Sequence, residues 1–414
     1  MNFHVLVQLP LEPRSRTGDN AVYGSLNPRV MATNGPEASQ QEKVRVLSVI
    51  GSLRFGGAEA RVARFAQALR PYGIETEICA LERTGPNLTL LENAGFRVHG
   101  TPYLARPFRS NTMMLLRTVD AIRRIVKAGR FDIVHTNLFW ADVLGVAGAR
   151  LGGCRRIIQS RVAMHSWAHG PTAFFHGLEQ TTNALTNELI ADCQASLKDA
   201  ERYEALLPSK RTVIYSGVEI DQFPVAHPRL DGTLRLLTLG VLAPRKGQEF
   251  AIQAMEILKT KGVDAKLQLV GSGPDEAMLR QQVLTRGLGE IITFVGQVPD
   301  SKPFFADADM FIFPSRQEGG AIALQEAMAS ALPIVATDVG GVPEALVDGS
   351  GGRLVPPQDA AALARAISDL ASDRARLQAM GQFNRRRAIE LYSLDVSAGQ
   401  LADWYKNPPS IPKS

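Results

Sequence analysis

The chain has 414 residues, 45% of them hydrophobic and 21% charged, which excludes a disordered, collagen-like or coiled-coil protein. The formal charge of +5 comes without the dense basic stripe or recognisable module of a nucleic-acid binder. No apolar run reaches the roughly 18 residues of a membrane-spanning helix, and the start MNFHVLVQLPLEP lacks the basic n-region and small-residue cleavage site of a signal peptide.

Residues 1–42 are rich in Pro, Gly, Ser, Asn and Arg without a sustained period, so they read as an extension with no core of its own. From Val44 onward short β-branched runs alternate with helical stretches. The predicted strands are 44–50, 75–81, 96–100, 131–136, 155–160, 188–193 and 211–216. Between them lie segments such as AEARVARFAQALRP, where Val62, Phe65, Ala66 and Leu69 share one helical face. The stretch DQFPVAHPRLDGT (221–233) is broken by Pro224, Pro228 and Gly232 and reads as a linker. After it the pattern restarts, with strands at 234–240, 265–271, 291–296, 310–314 and 333–337.

Near-continuous apolar strands alternating with helices mean parallel sheets covered on both faces. The expected architecture is therefore α/β, with two Rossmann-like doubly wound domains facing across a cleft. The first spans 43–225 and the second 226–390, and residues 391–414 form a helix returning to the first. In such sheets ligands bind at the carboxyl ends of the strands, so the residues just after strands are the ones to inspect.

Cys79, Cys154 and Cys193 are far apart and form no C-x-x-C pair. Neither a disulfide framework nor a zinc site is expected, and a reducing, cytoplasmic setting fits. The one dense chemical signal is FPSRQEGGAIALQEAMASALPIVATDVGGVPE (313–344). A strand ends there, a polar Glu318-Gly319-Gly320 loop follows, and a helix begins near Ala321. A helix start offers unpaired N–H groups and a positive dipole end, so a diphosphate would meet the N–H groups of Gly320, Ala321 and Ile322. Glu318 precedes the helix and Glu326 lies in its second turn, leaning back toward its start. Ionised carboxylates only accept hydrogen bonds, so both suit hydroxyls. An anion site flanked by two hydroxyl acceptors describes a nucleotide-sugar pocket.

The E-x7-E pattern of EGGAIALQE resembles the retaining GT-B glycosyltransferases of family 4. The resemblance covers about residues 45–390 and extends to GSLRFGGAE, FDIVH, VIYSGVEIDQF, LGVLAPRKG and LVGSGP, in that order. It implies catalytic roles for Glu318, His135 and Lys246. Glu318 would touch the sugar hydroxyls, His135 would face the sugar from the acceptor side, and Lys246 would neutralise the diphosphate. Donor-binding roles fall to Gly56, Gly57, Gly240, Arg245, Gly271, Gly273, Gly319, Gly320, Ala321 and Ile322, with Glu326 on the ribose. The chain departs from the family at Val241, where Arg is common, and at Asn137, where a second His is common. It departs again at Ser216, in place of Asn, and at Gly320, in place of an aromatic. Arg245 is the candidate to supply the charge missing at Val241.

The resemblance further implies transfer with retention from a nucleoside-diphosphate sugar to a saccharide or lipid-linked acceptor, in polysaccharide or glycolipid synthesis. It implies no metal and no cofactor besides the sugar nucleotide as co-substrate. A nucleotide-sugar epimerase or hydrolase on the same fold, and a non-catalytic sugar-nucleotide-binding protein, are the alternatives.

Asp307-Ala308-Asp309 spells D-x-D, but its place directly before a strand reads as structural. LVGSGPDEAM carries Glu276 where a dinucleotide fingerprint needs a third glycine; its Gly271 and Gly273 would turn beside the nucleotide base. His165, His169 and His176 are too loosely spaced for zinc, and their segment suits an acceptor loop. Residues 103–130 carry Arg106, Arg109, Arg117, Arg123, Arg124, Lys127 and Arg130 around Met113, Met114 and Leu116. That is either a solvated helix face or a contact for anionic lipid.

Overall fold

Among the described residues every strand ladder is parallel. The structure, a computed structural model, describes residues 43–54, 56–103, 112–162, 173–229 and 232–407. The first sheet has seven strands: β1 (Val44–Ile50), β2 (Ile74–Ala80), β3 (Val98–Gly100), β4 (Ile133–Asn137), β5 (Arg156–Arg161), β6 (Glu188–Ala191) and β7 (Lys210–Val213), in the order β3-β2-β1-β4-β5-β6-β7. The second has six: β8 (Leu234–Leu239), β9 (Ala265–Val270), β10 (Ile292–Gly296), β11 (Met310–Phe313), β12 (Ile334–Thr337) and β13 (Gly352–Val355), in the order β10-β9-β8-β11-β12-β13. Helices intervene between successive strands, which parallel pairing requires. The expected pair of doubly wound α/β domains is therefore present.

Twelve of the strands lie within a few residues of their expected places. The thirteenth, β13, had no counterpart. Its sequence GRLV follows Gly349, Ser350 and Gly351 and exposes Arg353 at the sheet edge. It lacks the apolar run that announces an inner strand.

In each sheet the strand order reverses once, at β1/β4 and at β8/β11. Those switch points are where loops diverge and leave a crevice. The chain passes between the two halves twice, side by side. Val218 N–H donates to Tyr392 O at 2.7 Å, and Leu394 N–H donates to Val218 O at 2.9 Å. Beyond that crossing the helix Leu394–Lys406 lies on the first sheet. Its Leu394, Ala398, Leu401, Ala402 and Tyr405 pack with Val46, Phe65, Ile133, Ile158 and Ile190. Each large apolar side chain buried in this way contributes about 1.5–3 kcal/mol, so the last helix is part of the first half's core.

Candidate active site

The loops leaving β8 and β11 carry Lys246 and Glu318 of the second half. The first ends in the short 3-10 turn Pro244–Lys246, closed by Gly247 at φ 62°. The second is sewn to it, because the Arg316 and Gln317 N–H groups both donate to Arg245 O, at 2.8 and 3.3 Å. This pairing delivers Lys246 to Glu318. The Lys246 ammonium donates to Glu318 Oε1 at 3.0 Å and Oε2 at 2.7 Å, and Ser315 Oγ donates to Oε2 at 3.0 Å. Glu318 is only 6% exposed. An ammonium has three donors, so Lys246 retains at least one for another partner. Its Nζ also stands 5.3 Å from the centroid of the Phe313 ring.

The helix Ile322–Ala329 starts at Ala321, a buried residue in the left-handed region (φ 48°, ψ 53°), with no side-chain cap. Of its first-turn N–H groups, that of Leu324 donates to Ala321 O at 2.9 Å, which leaves Ile322 and Ala323 as the orphans expected of a helix start. One expected donor is already taken. Gly320 N–H donates at 3.0 Å to Oδ2 of Asp192, which comes from the opposite half. The diphosphate expected on Gly320, Ala321 and Ile322 is therefore left with the last two, because a carboxylate already stands on the first.

Glu326 lies on the same helix. Burial pushes its carboxyl upward, opposed by Arg64 and Lys302. Arg64 Nη1 stands 3.8 Å from Glu326 Oε1, and its buried Nε has no hydrogen-bond partner. Arg64 belongs to the helix Gly57–Ala68 of the first half, so this contact spans the seam. The start of that helix also faces the second half, since a Cβ on Gly57 would lie 3.2 Å from Ile322 Cδ1.

The seam is closed by a second carboxylate crossing in the opposite sense. Glu344 accepts from the N–H groups of Gln194 and Ala195, at 2.9 and 2.6 Å, at the start of the helix Gln194–Tyr203. Each half thus places an acid on backbone N–H groups of the other. Two doubly wound domains, their switch-point loops meeting around a Lys–Glu pair and an uncapped helix start, make a site for an anionic ligand bearing hydroxyls.

Two family models match the chain in tandem: "Glycosyltransferase Family 4" over residues 55–222 and "Glycosyl transferases group 1" over 219–387. The chain belongs to the group 1, family 4 glycosyltransferases. The enzyme is 27% identical over 386 residues to a D-inositol 3-phosphate glycosyltransferase of Streptomyces avermitilis, covering 84% of this chain and 82% of that one. It is 28% identical to a GDP-mannose-dependent alpha-(1-6)-phosphatidylinositol monomannoside mannosyltransferase of Mycolicibacterium smegmatis, covering 70% and 81%. Its fold is that of the GT-B enzymes. HepE of Anabaena, solved with UDP and glucose, superimposes with a TM-score of 0.76 at 20% identity, covering 88% of this chain and 99% of that one. Sucrose-phosphate synthase of Thermosynechococcus elongatus does so at 0.74 and 21%, covering 88% and 98%.

Several residues of this glycosyltransferase sit elsewhere than expected. His135 does not face the cleft. It is 4% exposed, and its Nδ1 lies 2.6 Å from Tyr405 Oη and its Nε2 2.8 Å from Ser160 Oγ. Side chains alternate faces along a strand, and His135 shares the face of Ile133, beneath the helices Gly57–Ala68 and Leu394–Lys406. Burial there, with Arg61 and Arg156 nearby, pulls its pKa down to about 3, so the ring is neutral. Asn137, on the same parity, points inward too, with its Nδ2 3.3 Å from Val49 O.

Gly271 and Gly273 are demanded by packing inside the second half. A Cβ on Gly271 would meet Gly240 O at 2.0 Å, and one on Gly273 would meet Leu242 O at 2.2 Å. Asp309 is structural, as its place before a strand suggested: it is fully buried and accepts from the Arg229 and Arg235 N–H groups at 2.8 Å each. His165 and His169 lie outside the described residues, and His176 contacts Gln180 on the helix Ala173–Ala184. No group of His, Cys, Asp and Glu fit for a metal exists among the described residues. The three cysteines are buried and free.

The cross-seam residues Asp192, Arg64 and Glu344 were not singled out from the sequence. For Asp192 a signal existed, because it follows a strand directly. The predicted strand ran to Cys193, two residues beyond the actual end at Ala191, and so concealed it.

Proposed function

We propose that this glycosyltransferase takes its sugar from a nucleoside diphosphate and delivers it, with retention, to a saccharide or lipid-linked acceptor of the cell envelope. The observation that carries the reading is the Lys246–Glu318 pair beside the open helix start at Ala321. A cation and orphan N–H groups suit a diphosphate, and a carboxylate beside them suits sugar hydroxyls. In this reading Glu318 holds the transferred sugar and Glu326 the ribose. Lys246, Arg245 and the N–H groups of Ala321 and Ile322 hold the diphosphate, with Gly57 and Gly319 allowing close approach.

During transfer the anomeric C–O bond to the diphosphate breaks and the acceptor oxygen bonds to that carbon on the same face. The acceptor's proton passes to the leaving phosphate oxygen. Negative charge grows on the diphosphate, and fixed donors aimed at growing charge are an effective form of catalysis. Lys246 and the helix start supply that charge compensation without a metal ion. The GDP-mannose-dependent relative and the UDP and glucose bound to HepE support a sugar-nucleotide donor.

A thermal-shift series with UDP, GDP and ADP sugars tests the reading, since a ligand that binds only the folded state raises the melting temperature. One of them is expected to stabilise the enzyme, and Lys246→Ala to abolish that shift and cut kcat/KM about a hundredfold. No shift with any sugar nucleotide contradicts the reading, and release of free sugar at the full turnover rate would favour a hydrolase.

The acceptor side suits an anionic surface at the cytoplasmic face of a membrane. The helix Thr112–Gly129 exposes Met113 (50%) and Leu116 (60%) beside Arg117, Arg124 and Lys127. Each basic residue near such a surface adds about 1 kcal/mol. Sedimentation with vesicles rich in phosphatidylglycerol is expected to carry the enzyme down at low salt and to release it at high salt. Equal sedimentation with neutral vesicles contradicts this.

A further inference from the structure

Asp192 is the one buried acid at the seam to which the reading above gives no task. It is 4% exposed and stands at the carboxyl end of β6. Its carboxylate reaches over the Gly319-Gly320 turn, two residues beyond Glu318. Ser196 Oγ donates to Oδ1 at 2.7 Å, Gly320 N–H donates to Oδ2 at 3.0 Å, and the Cys193 thiol is a further weak donor.

No Arg or Lys stands within ion-pair distance of it among the described residues; Arg61 acts only through space. An ionised carboxylate has about four acceptor positions, so neutral donors leave part of its capacity unused. Burial also raises its pKa, as expected for an acid removed from water without a cation. A site that is otherwise costly suggests a partner that arrives later.

The backbone is shaped around this carboxylate. A Cβ on Gly320 would lie 2.6 Å from Asp192 Oδ2, and one on Gly319 would lie 3.5 Å from it. Any larger residue at 320 would hold the acid away. Two carboxylates, one from each half, thus flank the same turn: Glu318 with its Lys246 counter-ion, and Asp192 without one.

We propose that Asp192 is a specificity-determining contact for the transferred sugar, its carboxylate accepting a hydroxyl of that sugar beside Glu318 when the donor is bound. The inference rests on the reading of Glu318 as the sugar's holder. Because Asp192 belongs to the first half, the contact exists only with the seam closed. The correct sugar therefore stabilises the closed form, and an epimer lacking the hydroxyl at that place does not.

The test compares UDP with UDP-glucose, and GDP with GDP-mannose, by calorimetry and by transfer kinetics. Asp192→Asn should weaken the sugar nucleotide at least about tenfold while leaving the bare diphosphate within about twofold, as loss of a hydroxyl partner implies. It should also shrink the preference between glucose, galactose and mannose donors. Ser196→Ala, which removes the donor that orients the carboxylate at Oδ1, should give a smaller loss of the same kind and serves if the Asn variant does not fold. Unchanged sugar-nucleotide affinity, or an equal loss for diphosphate and sugar nucleotide, overturns the proposal. Glu318→Gln separates the two readings. If it weakens the sugar nucleotide and Asp192→Asn does not, only the Asp192 inference fails. If neither does, the assignment of the sugar site fails with it.

Discussion

Lys246 and Glu318 lie seventy-two residues apart in sequence, yet each follows a strand at the same switch point; Glu318 was legible from its place after a strand and Lys246 from the family resemblance. Their direct pairing was not, because it depends on the Arg316 and Gln317 N–H groups binding Arg245 O. His135 shows the opposite case. It also lies near a strand end, but the strand runs two residues further, to Asn137. Parity then sends the ring to the helix-covered face, and parity cannot be fixed where both faces of a strand are buried and apolar. Its environment makes a pH prediction. A folded-state pKa of about 3, below the ordinary 6.5, means that the unfolded chain takes up a proton the folded chain refuses. The stability from a neutral His135 is full above pH 6.5 and is lost as pH falls toward 3. His135→Gln is therefore expected to flatten the fall of melting temperature between about pH 6.5 and 4. An equally steep fall in the variant contradicts the buried, neutral ring.

Among the elements, the helix starts decide how the halves meet. The helix Ile322–Ala329 has no cap of its own and receives Asp192 on the residue ahead of it. The helix Gln194–Tyr203 has the weak thiol of Cys193 as its N-cap, donated to by Ser196 N–H at 3.3 Å, and receives Glu344. Carboxylates at helix starts are stabilising through both hydrogen bonds and the dipole. Glu344→Ala is expected to cost about 1 kcal/mol in chemical denaturation and to speed amide exchange at Gln194 and Ala195. Unchanged exchange there would show that the cross-seam cap does not persist in solution. The sequence made the helices visible through their apolar period. It did not reveal which caps are exchanged, because a cap drawn from a residue some 150 positions away leaves no local pattern. The short edge strand β13 was missed for a related reason: four residues, one of them an exposed Arg, carry too little periodicity.

At the scale of the whole molecule, the two crossings at Val218 and Ser393–Leu394 bind the halves with a parallel bridge, and the last helix completes the first half's core. Much of what otherwise joins the halves is polar: Asp192 to Gly320, Glu344 to Gln194 and Ala195, and Arg64 beside Glu326, with the Tyr215 ring edge-on to Tyr392 and Gly57 facing Ile322 as apolar contacts. Polar seams between domains open more readily than apolar ones, which suits an enzyme that must admit a donor and then exclude water. The doubly wound pair of sheets, apart from the edge strand β13, was legible in the alternation of strands and helices. The closed seam was not, because it is built from single side chains spread over three regions of the chain.

A crystal structure of the enzyme with a sugar nucleotide bound tests the donor site most directly. The diphosphate is expected on Lys246 and the Ala321–Ile322 N–H groups, a sugar hydroxyl on Glu318, and the ribose on Glu326. A sugar nucleotide bound away from the β8/β11 switch point, with the Lys246–Glu318 pair untouched, would contradict that expectation.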